Sequence, residues 1–269
     1  PLYKKLGCEV VELFTEPDSH FPNHHPDPAV AENMRFAVEA VKKHEADLAV
    51  AFDGDGDRIG VVDENGKIIW GDELMSIFSR SILEKNPQAS FIAEVKCSQR
   101  LFDDIENHGG KAIMWKVGHS LIKAKMKETG AALAGEMSGH IFFADRFFGF
   151  DDAIYWGARL LEILSASEKP LSEFLADLPT NYNTPEIRID CPDEKKFKIV
   201  RQLTKEFKKT NRVIDIDGAR ILFENSWGLV RPSTTEPNLV MRFEADSQDN
   251  LEKTKRIVET RLARLIYQN

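Results

Sequence analysis

Cysteine is scarce in these 269 residues: Cys8, Cys97 and Cys191 are the only three, and none forms a CxxC pair. Three scattered thiols cannot all pair. That excludes a disulfide framework and leaves a reduced, cytoplasmic protein as the simplest expectation. Long apolar runs are missing too. None approaches the ~18 residues needed to cross a bilayer. The opening "PLYKKLGCEVVELF" lacks the basic, apolar and small-residue order of a secretory signal, so no membrane partner is expected. Positive charge is in deficit, with 36 Lys and Arg against 44 Asp and Glu and a net charge of −8. That balance excludes a broad nucleic-acid surface. Any anionic ligand must be held by a few locally placed cations.

What is present is an ordinary globular pattern, long enough for two or three domains. Residues 1–28 carry a short amphipathic piece, the apolar "EVVELF", which reads as a strand, and then "TEPDSHFPNHHPDP", too rich in proline for regular structure. Asp27 is placed to cap the following helix, with Pro28 in its first turn. "DLAVAF" reads as a buried strand, and "RIGVVDENGKIIW" as two strands around the Asn65-Gly66 turn. From Gly71 to about Pro179, helices and short apolar strands alternate, which predicts α/β units on a mainly parallel sheet. In such sheets ligands sit beyond the carboxyl ends of the strands. The aspartate loop, "KCS", "KVGHS" and "GEMSGH" all follow predicted strands and so could face one cleft. After Pro179 strands cluster between two helices, the pattern of a small α+β domain. The final helix, with Leu251, Ile257, Val258, Leu262 and Leu265, reads as amphipathic packing. The expected divisions are 1–67, 68–180 and 181–269.

The densest chemistry lies in "AFDGDGDRIGVVDENGK". Asp53, Asp55 and Asp57 offer hard oxygen ligands at alternate positions, and Gly54 and Gly56 let the backbone fold them toward one point. Such a set suits Mg²⁺, Mn²⁺ or Ca²⁺ rather than zinc. A calcium-binding EF-hand would need glycine where Arg58 stands, and helices on both flanks. An aspartyl phosphotransferase of the haloacid-dehalogenase type also runs a strand into Asp-x-Asp, but wants threonine or valine in place of Asp57. It stays as an alternative, a phosphatase with Asp53 as nucleophile. A third reading explains Arg58: Mg²⁺ leaves a coordination position for a substrate phosphate, and a guanidinium fork grips the same group.

Three segments in order, "DGDGDR" (53–58), "GEMSGH" (135–140) and "RPSTTEP" (231–237), resemble the α-D-phosphohexomutase superfamily, and within it the bacterial phosphomannomutase/phosphoglucomutase group. "FPNHHPDP", "KVGHS" and "FGFDD" are similar to that group as well. The resemblance implies consecutive mixed-sheet α/β domains, the second partial and the third complete, followed by a small α+β domain. It implies interconversion of hexose 1- and 6-phosphates through a phosphoserine and a 1,6-bisphosphate, with the aspartate loop holding Mg²⁺ against the phosphoserine. The family's serine loop, Thr-Ala-Ser-His-Asn-Pro, has no match here; Ser120, Ser138 and Ser233 lie in other motifs. The expectation is a C-terminal portion lacking the phosphoserine domain and inactive alone. A stand-alone sugar-phosphate-binding module is the alternative.

In "GEMSGH", Glu136 and Ser138 can exchange hydrogen bonds with sugar hydroxyls. The resemblance assigns them to the 3- and 4-hydroxyls, which glucose and mannose share, and His140 is a further substrate candidate. Arg231, Ser233, Thr234 and Thr235 offer a guanidinium and hydroxyls at a turn, a phosphate cradle, with Arg242 either assisting or pairing with Glu244. By resemblance, Arg58, Lys96 and His119 are the candidate catalytic groups, with His119 as acid or base. Phe147 is a cleft-lining candidate, and Lys116 and Lys123 are weaker ones for phosphate. His24 and His25 lack a third metal ligand nearby and read as linker.

Overall fold

The computed structural model describes residues 1–16 and 18–268. It divides into two compact units, Pro1–Ile113 with Gly118–Leu178, and Met114–Val117 with Pro179–Asn269.

The first unit opens with the short helix α1 (Leu2–Lys5), a 3₁₀ turn (Ala31–Met34) and α2 (Arg35–His44). Met34, Ala37 and Val41, spaced along one helical face, bury against Val62. Next come β1 (Leu48–Phe52), β2 (Ile59–Asp63) and β3 (Ile68–Ile69), an antiparallel sheet in that order. The Asn65-Gly66 hairpin is where the sequence puts it. Gly66 takes φ +84°, and Asp63 Oδ1 accepts from the N–H groups of Asn65 (3.0 Å) and Lys67 (2.8 Å).

Three expectations for this region are corrected. "EVVELF" is not a strand. Among the described residues no strand lies beside it, and Phe14, at φ 53°, breaks the extended run and packs edge-on to His24 and Phe36. β1 is half-buried rather than buried, because it is an outer strand of its sheet. Asp27 does not cap the helical segment, which begins after Val30. Its carboxylate takes the guanidinium of Arg58 at 2.9 Å, a charge-assisted bond stronger than a neutral cap.

The remainder of this unit alternates as α3 (Gly71–Lys85), β4 (Ser90–Glu94), α4 (Gln99–Asn107), β5 (Lys111–Trp115), α5 (His119–Thr129), β6 (Leu133–Gly135), β7 (Ile141–Phe143) and α6 (Ala153–Ser165). Sheet order is β5-β4-β6-β7. β4 and β6 are parallel, while β6 and β7 are antiparallel with Gly135 opposite Ile141. The fold is thus mixed α/β: β4 and β6, joined through helical crossovers, pair in parallel as the helix–strand alternation predicts, and β7 adds an antiparallel strand. A short link such as 136–140 can only turn the chain back, whereas parallel pairing needs a crossover. Phe78, Phe91, Phe142, Phe143 and Trp156 fill the core.

The second unit is α+β, with β8 (Tyr182–Asn183), β9 (Ile187–Asp190), α7 (Asp193–Phe207), β10 (Val213–Ile214), β11 (Ala219–Leu222), β12 (Ser226–Pro232), β13 (Asn238–Ala245) and α8 (Gln248–Gln268). The strands run β10-β11-β12-β13-β8, with β9 also on β13, and these pairings are antiparallel. One sheet face, with Ile221, Val230, Met241 and Phe243, packs with Leu203 and Phe207 of α7 and with Leu251, Val258, Leu262 and Leu265 of α8. Ile257 falls off that face and is exposed. On the other face Arg220, Leu229 and Arg242 stand in register, and the guanidinium of Arg220 lies 3.7 Å over the Trp227 ring. No described helix in either unit is long and apolar enough to cross a membrane.

Candidate active site

The aspartate loop is the turn of the β1–β2 hairpin, closed by the pair Phe52 and Ile59. Gly56 supplies φ +77°, and the N–H of Asp53 donates to the carbonyl of Arg58 across the loop at 3.3 Å. Asp53 organises what lies between. Its Oδ1 accepts from the N–H groups of Asp57 and Arg58, both at 3.0 Å, and its Oδ2 accepts from Arg58 Nε at 2.8 Å. Burial pushes Asp53 up, but these Arg58 and Asp57 bonds outweigh it and hold the carboxyl below its ordinary range. Burial and the Asp53 and Asp55 carboxylates push Asp57 up. One oxygen from each of Asp53, Asp55 and Asp57 lies within 4.8 Å of the others. An all-oxygen trio this close, with mutual repulsion to relieve, fits a hard divalent cation such as Mg²⁺. Asp53 is a poor nucleophile here, since both oxygens are engaged and its side chain is only 1% exposed. That speaks against the phosphatase alternative.

The loop 136–140 joins β6 to β7 and reaches the aspartate loop through the backbone, with the N–H of Ile59 donating to the carbonyl of Gly139 at 3.2 Å. Its side chains continue the link. His140 Nε2 lies 3.2 Å from Asp57 Oδ1, and His140 Nδ1 lies 2.8 Å from Glu136 Oε2. Glu136 Oε1 accepts from the N–H of Gly118 at 2.7 Å, which ties in the start of α5. Ser138 Oγ stands 3.5 Å from Glu136 Oε2. The first-unit candidates Asp53, Asp55, Asp57, Arg58, Glu136, Ser138 and His140 are therefore one connected group.

His119 opens α5. Its ring centroid is 6.0 Å from that of His140, and its Nδ1 is 3.5 Å from Asp151 Oδ2. Lys123, one turn on, donates to Asp151 Oδ1 at 3.2 Å. Lys96 is reached through Glu94. That carboxylate, fully buried, accepts from the N–H of Lys96 at 2.6 Å and from the N–H of Met137 at 3.2 Å, and lies 3.8 Å from Lys96 Nζ. Burial pushes Glu94 up. Phe147 instead stacks on Tyr155 with centroids 4.0 Å apart. Glu94, Asp151 and the Asp27 link to Arg58 escaped the sequence reading. The only sequence signals were the position of Glu94 just before "VKCS" and the Asp doublet in "FGFDD".

The second unit holds its own cluster. Arg231, buried on β12, donates through Nε to Asp217 Oδ2 at 3.1 Å, and the N–H of Val117 donates to the same oxygen at 3.1 Å. At the β12–β13 turn Ser233 Oγ accepts from the N–H groups of Thr235 (3.3 Å) and Glu236 (3.1 Å), while Thr234 and Thr235 are exposed. Glu244 takes Trp227 Nε1 at 3.0 Å and Asn181 at 2.9 Å.

Known proteins share this arrangement of segments. Residues 1–66 match the profile "Phosphoglucomutase/phosphomannomutase, alpha/beta/alpha domain II", residues 70–182 match alpha/beta/alpha domain III, and residues 186–260 match the C-terminal domain of the same family. The chain belongs to the phosphoglucomutase/phosphomannomutase family. A phosphomannomutase/phosphoglucomutase of Pseudomonas putida is 52% identical over 266 residues, covering 98% of this chain and 57% of the relative. A phosphoglucomutase of Neisseria gonorrhoeae is 50% identical over 255 residues, covering 94% and 55%. A solved phosphoglucomutase/phosphomannomutase family protein of Burkholderia thailandensis superposes with a TM-score of 0.91 at 45% identity, over 98% of this chain and 57% of that one. This family member thus spans a little over half the length of the curated relatives it matches.

Within this chain, the Glu136–His140 pair has a pH signature. Burial pushes Glu136 up, but His140 and the N–H of Gly118 outweigh it and hold the carboxyl below its ordinary 4.5. Burial pushes His140 down, but Glu136 and Asp57 outweigh it and hold the imidazole above its ordinary 6.5. A lowered carboxyl contributes stability that is whole above the unfolded value and lost as pH falls through the folded one. A raised imidazole contributes stability that is whole below the unfolded value and lost as pH rises through the folded one. Both contributions are complete between pH 4.5 and 6.5. In urea unfolding of the metal-free chain, the cost of His140→Asn is expected to peak in that window and shrink on both sides. A cost independent of pH would remove the pair as a source of stability.

Proposed function

We propose that this chain is the metal- and substrate-binding part of an Mg²⁺-dependent enzyme that interconverts hexose 1-phosphate and hexose 6-phosphate, of mannose, glucose or both. The transfer runs through a phosphoserine on a further domain and a 1,6-bisphosphate. The chain comprises part of a second domain (1–67), a third (68–180) and a C-terminal domain (181–269). The observation that carries the reading is the unbroken run of contacts Asp27–Arg58–Asp53 and Asp57–His140–Glu136–Gly118. It couples a cation-binding loop to a loop built for sugar hydroxyls, in a chain of this family.

Asp53, Asp55 and Asp57 would hold the cation, which would supply positive charge against a phosphoryl group in transfer. Arg58, held in place by Asp27 and Asp53, keeps part of its fork for the same phosphoryl oxygens. Glu136 and Ser138 take the neighbouring hydroxyls that mannose and glucose share. Lys96, held beside that loop through Glu94, and His140 within the loop add substrate contacts, with Phe147, stacked on Tyr155, the aromatic candidate for the cleft wall. His119, steadied by Asp151, gives or takes the proton of the reacting hydroxyl. Arg231, Ser233, Thr234 and Thr235 cradle the phosphate that does not react.

The test is Mg²⁺ titration calorimetry on this chain and on a longer chain carrying the phosphorylated serine domain. Binding is expected to be weaker here by about tenfold or more, because the phosphoserine adds an anionic ligand. Equal affinity would take the phosphoserine out of the ligand set. In parallel, mannose 6-phosphate binding followed by NMR should be lost in Glu136→Ala and Arg231→Ala. Unchanged binding in both would overturn the substrate assignment.

A further inference from the structure

We propose that His140, Asp57 and Asp151 form a second cation site beside the aspartate trio, suited to a borderline transition ion such as Zn²⁺. One ligand atom from each lies within 4.8 Å of the others. The imidazole is already oriented for it. Glu136 engages Nδ1 at 2.8 Å, which leaves Nε2 facing Asp57 Oδ1 at 3.2 Å. With the Nδ1 hydrogen on Glu136, the Nε2 position holds either a proton donated to Asp57 or a cation bonded to both atoms. A carboxylate behind a ligating histidine is how metal-binding imidazoles are commonly fixed. The separation fits as well: with bonds of about 2.0–2.1 Å, neighbouring ligand atoms of a tetrahedral zinc stand roughly 3.3 Å apart.

Asp151 supplies the independent observation. Its side chain is nine-tenths buried, at 10% exposed. Oδ1 accepts from Lys123 Nζ at 3.2 Å, but Oδ2 is shut off from solvent and has no hydrogen-bond partner. His119 Nδ1, at 3.5 Å, contributes only a longer-range ion pair. A buried, unsatisfied carboxylate oxygen is costly unless something completes it. The local charge favours a cation: the carboxylates Asp53, Asp55, Asp57, Glu94, Glu136 and Asp151 outnumber the fixed positive groups Arg58, Lys96 and Lys123. The nitrogen ligand separates this site from the all-oxygen trio, since imidazole suits zinc and carboxylates alone suit magnesium. A proton on Nε2 is the competing occupant. Occupancy does not depend on the hexose-phosphate reading.

The experiment is calorimetric titration of this chain with Zn²⁺ in saturating Mg²⁺, joined to anomalous diffraction at the zinc edge. One zinc is expected between His140 Nε2, Asp57 and Asp151. Affinity should drop by about tenfold or more in His140→Ala and in Asp151→Asn, and persist in Asp55→Asn, which belongs only to the trio. If His140→Ala fails to fold, the near-isosteric Asp151→Asn and the anomalous peak of the unaltered chain still decide. No zinc binding under these conditions, or a zinc that both variants bind like the unaltered chain, would overturn the site.

Discussion

Purified alone, this chain is expected to interconvert hexose phosphates at least about 10⁶-fold more slowly than a longer chain carrying the serine-bearing domain. That is the scale of loss when a serine enzyme is deprived of its nucleophile. The cause is chemical rather than conformational. Phosphoryl transfer through the enzyme needs a hydroxyl that takes and returns the group, and the residues here are committed elsewhere. Ser233 Oγ accepts two backbone N–H bonds at a turn, at 3.3 and 3.1 Å. Ser138 stands by Glu136 and His140, on the loop assigned to sugar hydroxyls. Asp53, the nucleophile of the phosphatase alternative, has both oxygens bound. A coupled assay with mannose 1-phosphate and glucose 1-phosphate, each with added 1,6-bisphosphate, measures the rate. Turnover within a hundredfold of the longer chain would mean that a donor exists within these residues. The fused serine domain should restore the rate, because the aspartate loop and the 136–140 loop are already joined.

The largest stability effect is expected from Gly139→Ala. Gly139 sits at φ +95°, and a Cβ there would lie 2.5 Å from the backbone oxygen of Ile59. The obstacle is backbone, so no flexible side chain can move aside. Relief requires separating the 136–140 loop from the start of β2, which breaks the bond from the N–H of Ile59 to the carbonyl of Gly139. Backbone strain and overpacking together should cost about 3 kcal/mol or more. Gly109→Ala is the control. It has φ +83° but nothing within 4 Å of the added carbon, so only the left-handed strain of roughly 1 kcal/mol remains. Urea unfolding of both variants separates the effects, and equal losses would show that close approach is not what Gly139 provides. Gly139→Ala should also abolish sugar-phosphate binding, since Glu136 and His140 move with the loop.

Much of this was legible before any coordinates. Asn65-Gly66 calls for left-handed backbone, and a hairpin forms there. Gly130 ends α5 at φ 66° for the same reason. Helical spacing marked the buried face of α8 in all but Ile257. The Asp-Gly alternation at 53–57 already pointed to a hard cation, and the three loop motifs to the family. These features depend on local backbone sterics, on periodicity or on the chemistry of adjacent residues, all of which a linear string contains.

The rest depends on where the chain goes. "EVVELF" has the alternation of a strand, but pairing needs a neighbour, and among the described residues it has none. "IFF" (141–143) is too short to announce itself, yet becomes β7 because the turn at 136–140 lays it antiparallel to β6. Asp27 looks like a helix cap until Arg58, 31 residues away, claims its carboxylate at 2.9 Å. Glu94 and Met137 meet across 43 residues, and His140 and Asp57 across 83. The sequence alone singled out candidate groups for a cation, a phosphate and a sugar. Only the tertiary structure decided which of them meet and which oxygens are left without a partner, because burial and long-range hydrogen bonds arise when packing brings distant segments together.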